Sequence, residues 1–140
     1  MIMKLKKITD SYLNRCAEIE KFQSMYEMMN QWVRIKQKNK RLDHYLSDRN
    51  IKNIAIYGMN SVGMTLLYEL EDSSVKVSYG IDQRAYGMLC EIELYAPDMI
   101  PGNVDAVIVT AIRAFPDIKR MLNEKYNIQS FSLEDILFDM

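Results

Sequence analysis

The strongest chemical signal in this chain is a six-residue turn, Gly58-Met59-Asn60-Ser61-Val62-Gly63. It lies between a short apolar run, Asn53 to Tyr57, and a helical pattern carried by Met64, Leu66, Leu67 and Leu70. A glycine-bounded turn joining a strand to a helix is the context of the dinucleotide fingerprint G-x-G-x-x-G. The first glycine allows a tight turn, and the last lets helix and strand approach. The amides at the helix start lie at the positive end of its dipole, where a phosphate is stabilised. Asn60 stands where the fingerprint has its middle glycine. Asparagine tolerates left-handed backbone, but its side chain fills space that a pyrophosphate needs. Asp82 follows Gly58 by 24 positions, where an acidic residue accepts ribose hydroxyls. Thr110, Ala111 and Arg113 follow another apolar run, Val104 to Thr110, and form the expected opposite wall of the crevice. Gly58, Asn60, Ser61, Val62, Gly63, Asp82, Thr110, Ala111 and Arg113 are therefore the candidate ligand-binding residues. On the alternative reading the glycines are only structural, Asp82 caps a turn, and Arg113 is a solvated cation.

Positioning these groups requires alternating strands and helices. Strands are expected at Asn53–Tyr57, Val75–Tyr79 and Val104–Thr110, with another at Ile128–Phe131 and a short edge strand near Glu91–Tyr95. Apolar runs of this length suit strands buried on both faces of a parallel sheet. Pro116 opens a helix that runs to about Tyr126. Ser132-Leu133-Glu134-Asp135 has the form of a capping box for a last helix, Glu134 to Phe138. The order predicts an α/β fold, a Rossmann-like, doubly wound, mainly parallel sheet preceded by an N-terminal helical hairpin.

Charge divides the chain at the same place. Residues 1–50 hold eleven Lys and Arg against six Asp and Glu, whereas residues 51–140 hold seven against thirteen. The expected organisation is a hairpin over 1–50 and a nucleotide-binding domain over 51–140. In the first part, apolar residues recur at helical spacing from Tyr12 to Ile35, with Asp10 and Ser11 as N-caps. Tyr12, Cys16, Ile19, Tyr26, Met29 and Val33 mark one stripe. Leu13, Phe22, Met25, Met28, Trp32 and Ile35 lie beside it. Asn39 is placed to end this helix in left-handed geometry, and a second helix, Leu42 to Leu46, follows. So wide a face, rich in Met and aromatics, suits packing on its own domain, a homodimer or a fused partner. Trp32, Met28, Met29 and Tyr26 are the expected interface residues.

Other classes find little support. The basic run Arg34, Lys36, Lys38, Lys40 and Arg41 lacks interleaved aromatics and reads as a solvated helix end, which argues against nucleic acid. Cys16 and Cys90 cannot make a zinc cluster, and His44, the only histidine, supports neither a metal site nor a triad. No apolar stretch spans a bilayer, and Met1 to Lys7 lacks a signal-peptide core. A cytoplasmic protein without a metal is expected.

Trp32, Lys40 to Leu46, Ile54 to Gly63, Tyr79 to Asp82, Val104 to Ala111 and Ser132 to Asp135 together resemble a family of small Rossmann-like domains. These accompany bacterial glycosyltransferases and other surface-polysaccharide biosynthesis proteins. They are similar to the nucleotide-binding portion of nucleoside-diphosphate-sugar epimerases and dehydratases. The resemblance implies NAD or a nucleotide sugar as ligand and a glycosyltransferase as partner. Epimerases of this type use Tyr-x-x-x-Lys. None of the nine tyrosines here has Lys four positions later. The expectation is a non-catalytic nucleotide-binding accessory module in polysaccharide or cell-envelope biosynthesis. The alternatives are a ligand-free interaction or dimerisation module, and a partial oxidoreductase or epimerase completed by another chain.

Overall fold

The computed structural model describes residues 1–140. Helix α1 spans Ile2–Gln37, and the short α2 spans Leu42–Ser47. The sheet and its helices follow as β1 (Asn53–Tyr57), α3 (Ser61–Leu70), β2 (Lys76–Ile81), β3 (Leu94–Tyr95), β4 (Ala106–Val109), α4 (Phe115–Tyr126), β5 (Ser130–Ser132) and α5 (Leu133–Asp139). All four pairings are parallel, in the order β3-β2-β1-β4-β5. This is the α/β, Rossmann-like parallel sheet expected from the sequence; its order matches the first five strands of the doubly wound 3-2-1-4-5-6 arrangement.

The central strands are apolar throughout because helices or loops cover both faces. Ile54 and Ile56 of β1, with Ala106 and Ile108 of β4, face a cluster built from α1, α2, α3 and α5. Ala55 and Tyr57, with Val107 and Val109, face the other side, where Ile118 and Leu122 of α4 close the core. Met28, Trp32 and Ile35 of α1 and Leu42 and Leu46 of α2 belong to the first cluster. The C-terminal part of α1 therefore shares a core with the sheet. Trp32 and Met28, expected at an interface, are instead interior residues, 4% and 0% exposed.

Several boundaries moved for physical reasons. Asp10 and Ser11 do not cap α1, which begins at Ile2 and runs 36 residues, about 54 Å. On a solvated helix, polar residues within one turn do not stop propagation. Asn39 does take left-handed geometry (φ 55°) just beyond α1. Strand β2 continues past Tyr79 through Gly80 and Ile81. A Cβ at Gly80 would lie 2.6 Å from Leu94 Cδ2, so the glycine brings β3 close rather than ending β2. Ser132 precedes α5, but its side chain makes no capping hydrogen bond.

Candidate functional site

The turn after β1 is held by contacts that account for nearly every group in it. Gly58 has φ +95°, a conformation that L side chains avoid. Its N–H donates to Ile81 O at 2.8 Å. Its carbonyl accepts from Thr110 Oγ1 at 2.7 Å. A Cβ at Gly63 would stand 2.2 Å from that same carbonyl oxygen, so α3 packs directly on the turn. Met59 N donates to Asp82 Oδ2 at 3.0 Å. Asp82 Oδ1 accepts from Arg84 N at 2.9 Å. Asn60 caps α3, its Oδ1 accepting from Val62 N and Gly63 N, each at 3.1 Å. Asparagine is among the best N-caps because it satisfies amides that the helix leaves unpaired.

These bonds divide the nine candidate residues. Gly58, Gly63, Asp82 and Val62 build the turn. Asp82 is 7% exposed with both carboxylate oxygens bonded within the loop, and Val62 sits in the core at 4%. Ser61 is exposed at the helix start. Asn60, Thr110, Ala111 and Arg113 come together in one cleft of about 310 Å³. The third wall is α1, through Lys21, Ser24 and Met25. Sequence reasoning missed those three. Lys21 and Ser24 are polar positions on a helix, and only the angle at which α1 docks turns them toward the sheet.

The cleft lies beyond the C-terminal ends of β1 and β4, between which the direction of strand crossing reverses. Ligands of open α/β sheets bind at such a switch point. Arg113 reaches Glu20 at 3.1 Å across the cleft mouth, with both side chains largely solvated. Lys21 makes no ion pair. The cleft therefore presents one unpaired cation, Lys21, and a guanidinium shared with Glu20, with the Asn60 amide and the Ser24 hydroxyl in its wall.

A dinucleotide laid over the turn does not fit these residues well, because Asn60 and Asp82 already hold three of the amides that would receive its pyrophosphate. The space beside the turn suits a smaller anion. It is near the lower end of ligand-pocket volumes. Tyr57, at the end of β1, has its hydroxyl pKa pushed up by burial and by Asp82 beside it, and it is followed four positions later by Ser61.

No group of three or more His, Cys, Asp or Glu side chains is placed to hold a metal ion. No helix is long and apolar enough to cross a membrane. No family model, no curated protein and no solved structure matches the chain.

Proposed function

We propose that this chain is a non-catalytic binding module for a phosphate-bearing ligand of mononucleotide size, such as a nucleoside diphosphate or the nucleotide part of a nucleotide sugar. The supporting observation is the switch-point cleft, where Lys21 and Arg113 flank Asn60 and Thr110. The unpaired Lys21, the Arg113 guanidinium shared with Glu20, and the Asn60 and Ser24 side chains equip the recess to hold an anion. NAD is the weaker candidate on size and because the turn amides are satisfied internally. The resemblance to domains accompanying glycosyltransferases suggests a cytoplasmic accessory role in polysaccharide or cell-envelope biosynthesis. Its partner would be a glycosyltransferase.

A second reading is favoured by one observation. Because Asn60 and Asp82 satisfy the turn without a ligand, the fold can serve as a scaffold for protein contacts alone. Thermal unfolding with UDP, UDP-glucose and NAD separates the two readings. A ligand that binds only the native state stabilises it by RT ln(1 + [L]/Kd), about 2.7 kcal/mol at 100 Kd. The binding reading predicts stabilisation by UDP or UDP-glucose that disappears in Lys21→Ala/Arg113→Ala. A panel without any shift at millimolar concentration leaves only the scaffold.

A further inference from the structure

The N-terminal part of α1 extends beyond the body. Every residue from Met1 to Arg15 is exposed, and so are residues 18 to 23. Its large apolar side chains, Ile2, Met3 and Leu13 apart, follow a pattern. Leu5, Tyr12, Ile19, Tyr26 and Val33 recur every seven residues, and Met1, Ile8, Phe22 and Met29 recur in the intervening register, broken once by Arg15. This is the a and d pattern of a coiled coil. Eight of these residues are more than half exposed, from Val33 at 52% to Met1 at 99%. The residues that α1 gives to its own core, Met28, Trp32 and Ile35, occupy c and g positions of the same heptads, about a quarter-turn or more away. One helix thus carries two separate apolar stripes. The folded body covers one and, of the other, packs against Met29 only in part.

We propose that the second stripe pairs with the same stripe of another copy of this chain, as an antiparallel coiled coil. A 3.5-residue repeat is specifically complementary to another helix. In an antiparallel pair each a residue meets a d residue. One register matches almost the whole exposed segment: Leu5 of one copy against Phe22 of the other, Ile8 against Ile19, Met1 against Tyr26, and Tyr12 against Arg15. A parallel pair instead stacks the two Arg15 side chains in one core layer, where like charges repel. The antiparallel register sets each guanidinium against a tyrosine ring, a favourable cation–π arrangement. Six exposed apolar side chains per copy, plus Met1, each have on the order of 100 Å² to lose. That reaches the roughly 1,200–2,000 Å² of a stable interface. The proposal is independent of what occupies the cleft.

Light scattering on the full chain tests it. The expected mass is twice 16.4 kDa. Ile8→Glu/Ile19→Glu should give a monomer in which Trp32 fluorescence is unchanged, because neither position touches the body. Orientation is read by spin-label distances from Met3→Cys in a Cys16→Ser/Cys90→Ser background. Residue 3 lies outside the seam, and the antiparallel register separates the two labels by roughly 30 Å or more along the axis. A monomeric parent chain, a dimer that survives the double glutamate change, or a label separation of about 20 Å or less each overturns the proposal.

Discussion

Replacing Gly63 by alanine tests whether the turn is built as described. The added Cβ would lie 2.2 Å from Gly58 O and 3.1 Å from Gly58 C, both backbone atoms that cannot rotate aside. A carbon–oxygen contact needs about 3.2 Å or more, so the start of α3 must move away from the turn by about 1 Å. Gly58 cannot yield in compensation, since its own free space ends at Thr110 Oγ1, 2.4 Å from where its Cβ would be. Moving α3 also loosens Val62 and Leu66, which are 4% and 0% exposed in the core. Overpacking of this kind costs about 1–3 kcal/mol, and with a rigid backbone on both sides the upper end applies. Alanine returns at most about 1 kcal/mol of helix propensity. The net destabilisation is about 2 kcal/mol. For a chain of this size that lowers Tm by about 6 °C. Trp32, the only tryptophan and 4% exposed, reports unfolding by fluorescence. Gly87→Ala is the control, since a Cβ there meets nothing within 4 Å, and its Tm should stay within about 2 °C of the parent. A Gly63→Ala protein as stable as the parent would refute the close approach of α3 to Gly58.

Three further outcomes follow from the charged groups. Asp43 is 5% exposed and held by Arg41 through two 2.9 Å bonds, which keep its carboxyl below the usual range. That pair stabilises the fold above the ordinary carboxylate pKa and the contribution is lost as pH falls through the lowered value; in Asp43→Asn the acid side of the Tm–pH curve should flatten. Arg41→Ala removes both guanidinium bonds from the buried carboxylate and leaves it the Ser74 hydrogen bond, and chemical denaturation should register a loss of stability. Glu134 has the opposite sign: burial, then Asp135 and Glu27, raise its pKa, and its Oε2 has no hydrogen-bond partner. Its ionisation costs stability as pH rises through the raised value, so Glu134→Gln should raise Tm at pH 7 and lose that advantage below the ordinary carboxylate range.

Much of the fold was legible because its signals are local. Asn53 to Tyr57 and Ala106 to Val109 announce strands buried on both faces, and Gly58 and Gly63 mark a turn that only glycine can make. The sequence does not specify how helices dock. The face of α1 read as one broad stripe has a buried part, Met28, Trp32 and Ile35, and an exposed part, and residue type does not mark Met28 and Trp32 as core. The cleft shows the same division. Asn60, Thr110, Ala111 and Arg113 follow their strands and could be named in advance. Lys21, Ser24 and Met25 reach the cleft only through the tertiary placement of a helix 35 or more positions away. Asn60 itself carried the ambiguity. Its capping bonds close the amide cradle and leave its side chain at the edge of the space beside it.

Titration calorimetry of UDP into the parent chain and into Asn60→Asp tests the cleft most directly. Aspartate caps a helix as well as asparagine does, so α3 stays intact while a negative charge enters the cleft wall. The account predicts UDP binding by the parent at a sub-millimolar Kd, weakened at least tenfold, about 1.4 kcal/mol, in the variant. No heat from the parent, or equal affinity in both proteins, would contradict it.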